Sequence, residues 1–231
     1  TVQLLFSQMG GAFTSSFGNL ATENDKKRMY SVYRKSCFVM NSLAFICCAG
    51  FIACIQDFIY IVFGSNFVLS FSCVLILVFS MLIYLLDIPI ISVQNAMGLH
   101  RCDAGVMIIQ AVLAIACGYG AGKVWGMEGI LLGLTIPTVI FTFIHKGIVI
   151  SKVAFEVTSY KYLKDMGSDL IKGIVIIGVI SAICNCIPAW NPVIAMILKG
   201  ILSVIISGIL IIAFSFKSEY VNACIKTSEI K

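Results

Sequence analysis

The 231-residue chain is 60% hydrophobic and only 12% charged, with a formal net charge of +5, whereas soluble domains carry about 25% charged residues. This composition excludes an ordinary soluble domain, because a water-soluble fold has too little interior to bury so much apolar surface. A helix that crosses the roughly 30 Å hydrocarbon core of a membrane needs about 20 mostly apolar residues, and the chain contains several such runs.

Seven apolar segments predict an all-α fold, a polytopic transmembrane helical bundle. Each segment is too long and too uniformly apolar for the alternating strands of an outer-membrane barrel, so its backbone is expected to be helical. In chain order the predicted spans are 2–20, 37–63, 67–97, 104–122, 126–146, 170–188 and 193–216. They group into three parts: five helices within residues 1–150, a cytoplasmic amphipathic connector over residues 151–169, and two C-terminal helices with a tail over residues 170–231.

The charged loops predict how the chain is oriented. Most of the 16 lysines and arginines fall in loops that the positive-inside rule assigns to the cytoplasm, whereas Lys123 lies in an outer loop and Lys199 within the last span. This pattern predicts a multi-pass protein of the cell (cytoplasmic) membrane, with residue 1 outside and the C-terminus in the cytoplasm. With an odd number of spans and no initiator methionine, the sequence is expected to be the later part of a longer protein.

Asp87 and Lys199 are the candidate substrate or transport residues. A charged side chain at membrane depth costs about 2.5 to 3.5 kcal/mol on insertion scales and usually faces a cavity or a partner. Asp87 lies two residues before Pro89, which is expected to kink the third helix, so the pair predicts a gate; a position of Asp87 at the inner interface is the alternative. Lys199 is predicted to extend its ammonium to the outer surface rather than bind substrate, and Asp57 is interpreted as an interfacial residue.

Pro137 is a second candidate for a kink or gate, because it leaves a backbone carbonyl that Thr135 or a neighbouring helix must satisfy. In the same predicted helix, Gly129 and Gly133 form a small-xxx-small spacing that permits close helix packing in a bilayer. His145 marks the inner end of this helix.

No motif for catalysis or for nucleotide binding occurs in the sequence. It lacks a G-x-x-x-x-G-K-[ST] loop, an H-E-x-x-H motif and a Ser-His-Asp ordering, so we expect neither an enzyme nor ATP-driven transport within this chain. The ten cysteines lie mostly in apolar runs as small hydrophobic residues, and Cys184 and Cys186 are interpreted as packing residues rather than a redox pair. No metal, no other cofactor and no nucleic-acid partner is expected.

Four local motifs resemble polysaccharide flippases of the Wzx type. The most specific match is Phe17-Gly18-Asn19-Leu20-Ala21-Thr22-Glu23-Asn24, which a basic stretch follows. Three further segments resemble the family's short external turn, the end of its next helix and its G-x-x-G-I helix start, respectively Phe63–Ser70, Asn95–Leu99 and Trp125–Ile130. These motifs follow the family order as far as about residue 150, and the last two spans resemble the family in topology alone.

This family belongs to the multidrug/oligosaccharidyl-lipid/polysaccharide exporter superfamily, whose members are similar in having two helical lobes around a central cavity. The resemblance implies that the chain is the C-terminal lobe, without its first helix, plus two extra helices. It implies a flippase that moves undecaprenyl-diphosphate-linked oligosaccharide to the outer leaflet by alternating access, for capsule or exopolysaccharide assembly. The implied partners are this lipid-linked oligosaccharide, membrane lipids, the missing N-terminal lobe and polysaccharide polymerase machinery.

Three alternatives remain open at this point. A drug/cation antiporter of the same superfamily would couple a membrane-embedded carboxylate such as Asp87 to protons or sodium. A membrane-embedded glycan polymerase would need a large external loop with clustered arginine, histidine or acidic residues, which the short outer loops do not provide. A membrane assembly subunit that transports nothing is the third.

Overall fold

A computed structural model describes residues 2–23, 25–102, 104–155, 157–185 and 192–216. Of these residues 96% are helical, and no strand occurs among them, which confirms the predicted all-α fold. The elements are α1 (Val2–Glu23), α2 (Lys26–Phe63), α3 (Phe71–Met97), α4 (Ala104–Pro137), a π-helix (Thr138–Lys146), α5 (Gly147–Phe155), α6 (Ser159–Asn185) and α7 (Pro192–Phe216), with 3-10 turns at Ser65–Phe67 and Leu99–Cys102. Cys186 and the predicted tail after residue 216 lie outside the described residues.

Within the described residues, five helical stretches are long and apolar enough to cross a membrane, and they are compatible with a multi-pass membrane protein. They are Lys26–Phe63, Phe71–Met97, Ala104–Phe155, Ser159–Cys184 and Pro192–Phe214. Two features account for the difference from the seven predicted spans. Helix α1 is not among the five, since glutamine, serine and glycine residues interrupt its apolar positions. The 104–155 stretch is counted once although it contains two of the predicted spans.

A sharp reversal at Gly126 separates those two spans. Gly126 has φ 60° and ψ −134°, which resembles the first central position of a type II′ turn and favours glycine. After the reversal the chain packs against the segment that precedes it: Gly133 lies against the backbone of Gly118, and Gly129 against that of Ala121. A side chain at either glycine would collide with backbone atoms, so the predicted close packing at Gly129 and Gly133 is confirmed. We call this antiparallel pair the glycine hairpin.

The chain forms two compact units. Unit 1 comprises Thr1–Asn41 and Ser70–Leu170, and unit 2 comprises Ser42–Leu69 and Ile171–Lys231. The boundaries pass through α2 and α6, so both helices contribute to both units, and this division differs from the three predicted parts. Residues 159–169, which belong to the predicted cytoplasmic connector, are the first turns of the continuous helix α6. Tyr162 and Asp169 on these turns are buried, and the position of the connector at the headgroups stays a prediction.

In unit 1, helix α1 packs closely along α3. A Cβ atom at Gly10 would lie 2.8 Å from Cγ2 of Ile88 and 2.9 Å from Oγ of Ser92, so the absence of a side chain allows this approach. A buried core is shared by helices α1, α2, α3, α5 and α6, and it includes Phe17, Tyr33, Ile90, Ile150 and Phe155. This packing brings the polar residues of α2, α3 and α6 into one region of unit 1.

Candidate functional site

Asp87 forms a buried ion pair with Lys146. The Lys146 Nζ atom lies 2.6 Å from Asp87 Oδ2, and the two side chains are only 6% and 3% exposed, respectively. Removing two charges from water costs several kcal/mol per ion, which close pairing must offset. The predicted span 126–146 ends at this lysine; in the structure, the π-helix turns the residue inward to Asp87 on α3.

A second group of polar residues joins α2 to α6 within unit 1. We call it the polar cluster: Tyr30, Arg34, Asn41, Asp165 and Asp169. Arg34 donates from Nη1 to Oδ2 of Asp169 at 3.0 Å, and its Nε lies 3.9 Å from Oδ2 of Asp165. Asn41 donates from Nδ2 to Oδ2 of Asp169 at 3.2 Å, and the Tyr30 hydroxyl donates to Oδ2 of Asp165 at 2.5 Å. One guanidinium is thus shared between two carboxylates.

A small cavity lies beside the polar cluster, with a volume of about 10 Å³, which is the space that a single water molecule needs. Its lining includes Arg34, Asn41 and Asp169 of the cluster, together with Leu86 of α3 and Phe143 of the π-helix. The cavity therefore lies between the polar cluster and the elements that carry the Asp87–Lys146 pair. Asn41 is 6% exposed, and its Oδ1 atom accepts no hydrogen bond from the described part of the chain.

Aromatic rings pack around this region and exclude solvent from it. The ring of Tyr33 lies 4.8 Å from that of Phe155 and 6.4 Å from that of Tyr162, and Tyr30 meets Phe155 edge-on at 5.3 Å. Tyr162 fits here because its hydroxyl lies against Gly147, where a side chain would occupy the same space. In such a water-poor setting, hydrogen bonds and ion pairs are stronger than at the surface, and an unpaired charge is costly.

Lys199 also has an acidic partner, in unit 2. Its Nζ lies 2.7 Å from Asp57 Oδ2, and the side chains are 13% and 14% exposed, respectively. The ammonium is directed to α2, against which α7 packs closely, and its predicted extension to the outer surface stays a prediction. The contact between these helices includes Gly200, where a Cβ atom would lie 3.2 Å from Sγ of Cys54, and a hydrogen bond from Cys54 to the carbonyl of Met196.

The two candidate prolines lie in different settings. Pro89 is buried within α3, which continues to Met97, whereas α-helical geometry ends at Pro137 and the π-helix follows. Thr135 donates to the carbonyl of Leu131 at 2.8 Å, which is not the Gly133 carbonyl that loses its helical donor to Pro137. Gate roles for Pro89 and Pro137 stay predictions.

The residues that sequence analysis missed are those whose partners lie on another helix: Arg34, Asn41, Asp165, Asp169 and, as a buried partner, Lys146. One signal for them is present in the sequence. Tyr30, Arg34, Cys37 and Asn41 follow one another at helical spacing, as do Asp165 and Asp169, so each helix carries a polar stripe of opposite charge.

Chemically, this arrangement holds two cationic side chains inside a helical unit, each beside a carboxylate. No group of histidine, cysteine or carboxylate side chains suited to a metal ion occurs within the described ranges. Comparisons with protein-family models, with curated proteins and with solved structures give no match to this chain.

Proposed function

We propose that this chain is the C-terminal lobe of a flippase that moves undecaprenyl-diphosphate-linked oligosaccharide repeat units to the outer leaflet, for capsule or exopolysaccharide assembly. The apolar helices and the local motifs that resemble Wzx-type flippases support this proposal. One observation carries it: Lys146 and Arg34 are held inside unit 1, each beside a carboxylate, and Arg34 also lines the small cavity. A diphosphate cannot enter hydrocarbon without cationic partners, and Lys199 is the cation that the sequence predicts well inside a span.

In the proposed cycle the carboxylates act as substitutes for the substrate. Lys146 pairs with Asp87, and Arg34 with Asp169 and Asp165, so both cations are neutralised in the described state. A diphosphate that enters from the cytoplasmic side draws one or both cations away from their carboxylates, and the carboxylates take them back after release. No covalent chemistry is involved, and rocking of the two lobes exposes the cavity to each side in turn.

The test is translocation by the intact protein that contains this chain, reconstituted in vesicles with fluorescent undecaprenyl-diphosphate oligosaccharide. The initial rate is read from the fraction of label that a membrane-impermeant quencher reaches. Lys146→Gln is expected to reduce the rate at least tenfold. The double variant Asp87→Asn with Lys146→Gln is expected to stay equally slow, because it restores a neutral interior but lacks the cation.

The matched control is the exposed pair of Arg28 and Glu23, whose side chains are 63% and 53% exposed. Arg28→Gln removes a cation from the same protein and is expected to leave the rate within about twofold, because exposed ion pairs contribute little. Translocation at the parent rate by a folded Lys146→Gln variant contradicts the proposal.

A drug/cation antiporter is the second candidate, and the burial of Asp87 favours it. A cationic substrate would displace Lys146 from Asp87, so this function requires the carboxylate and not the lysine. Uptake of a lipophilic cation that is lost in Asp87→Asn but kept in Lys146→Gln would support the antiporter over the flippase. The glycan polymerase gains no support from the contacts of the described residues.

A further inference from the structure

The segment between Pro137 and Gly147 is an unusually long π-helix. It contains nine residues, Thr138–Lys146, whereas π-helices mostly occur as single-turn bulges inside α-helices, frequently at functional sites. Helical geometry on both sides of it is of the α type. A segment of this length needs contacts that hold it away from the commoner α register.

Such contacts exist at both ends of the segment. At its beginning, the Gln110 side chain of the glycine hairpin donates to the Thr138 hydroxyl at 3.4 Å and accepts from the Thr142 hydroxyl at 2.7 Å. At its end, Lys146 forms the buried ion pair with Asp87. The first turn is thus fixed by neutral hydrogen bonds and the last residue by a charge pair.

Burial differs along the segment: Phe143 and Lys146 are buried, whereas Ile140, Ile144 and His145 are exposed. A π-helix turns by about 80° per residue and an α-helix by about 100°. If the first turn stays on Gln110 as far as Thr142 and the four residues after it become α-helical, the difference accumulates to about 80° at Lys146. That rotation carries Lys146 away from Asp87 and brings His145 to within about 20° of the direction that Lys146 now occupies.

We propose that this segment is a two-register switch. In the π register, Lys146 is the partner of Asp87; in the α register, Lys146 leaves the packed face and His145 turns toward Asp87. The ion pair selects between the registers, because it joins the last turn of the segment to α3. The switch concerns the partner of Asp87 and does not depend on which substrate the protein moves.

The first test measures the accessibility of position 145. His145→Cys is introduced into the full chain, and its modification by a water-soluble maleimide is quantified on the peptide, so that native cysteines do not interfere. In the α register the position faces the packed interior. Neutralising the pair with Asp87→Asn and Lys146→Gln together is therefore expected to reduce the modification rate at least fivefold.

His100→Cys is the matched control, because His100 is exposed on the 3-10 turn at Leu99–Cys102 and lies outside the segment. Its modification rate is expected to stay within twofold when the pair is neutralised. An unchanged rate at position 145 in the folded, neutralised protein overturns the proposal.

A cross-linking experiment keeps the proposal testable if the neutralised variant does not fold. In the π register, cysteines at 87 and 146 face each other and cysteines at 87 and 145 do not. A short bis-methanethiosulfonate reagent is expected to cross-link the cysteines of Asp87→Cys with His145→Cys, because this variant leaves Lys146 without its carboxylate and drives the segment to the α register. Cross-linking of the Asp87→Cys and Lys146→Cys pair alone, with none at 145, means that the segment keeps its π register and overturns the switch.

Discussion

Neutralising one partner of the Asp87–Lys146 pair is expected to destabilise the protein strongly. The side chains are 3% and 6% exposed and lie 2.6 Å apart, so Asp87→Asn leaves a buried ammonium without its carboxylate. Removal of one partner from such a pair typically costs about 3 to 5 kcal/mol. Replacing both partners, by Asp87→Asn with Lys146→Gln, removes the uncompensated charge, and the free energy of unfolding is expected to return to within about 1 kcal/mol of the parent.

The measurement is a double-mutant cycle on the purified chain, with unfolding followed by denaturant titration in detergent. Glu23→Gln serves as the control, because its pair with Arg28 is more than half exposed and contributes less than about 1 kcal/mol. If Asp87→Asn costs no more than Glu23→Gln, the ion pair is not excluded from water as described. If the two single losses simply add in the double variant, Asp87 and Lys146 are not coupled. Either result refutes the reasoning.

Three further perturbations test the packing of unit 2 and of the glycine hairpin. Asp57→Asn is expected to lower the free energy of unfolding by about 1 to 3 kcal/mol in the same titration, because its pair with Lys199 is mostly buried. Asp57→Asn with Lys199→Gln is expected to lower it by less. Equal losses for the single and the double variant would show that the contact is incidental. Gly133→Leu is expected to abolish the monodisperse peak in size-exclusion chromatography, because the leucine side chain would overlap backbone atoms. Gly11 has open space around it, so the control variant Gly11→Leu is expected to elute as the parent does. Gly126→Ala is expected to lower the free energy of unfolding by about 1 to 3 kcal/mol because of its positive φ, and a cost no larger than that of Gly11→Ala would argue against the described turn.

The sequence alone predicted those features of the fold that depend on neighbouring residues within one segment of the chain. Apolar runs of membrane-spanning length predicted helices because a backbone in hydrocarbon must satisfy its own hydrogen bonds, and five such helices are present. The spacing of Gly129 and Gly133 predicted close packing, since the absence of side chains is a property of those positions themselves. Gly126 is the first residue of the predicted span 126–146, and the chain reverses there.

The tertiary structure decided which charges meet. Lys146 follows an apolar run like any basic residue of an inner loop, and its burial depends on the π register of the preceding turns, which no period in the sequence indicates. Asp57 and Lys199 are 142 positions apart, and Arg34 and Asp169 are 135 apart. Helical spacing shows that each stripe of polar residues shares a face, but the choice of the facing helix comes from the packing of whole helices. The partners of Asp87 and Lys199 are therefore properties of the fold, whereas their positions within long apolar runs are properties of the sequence.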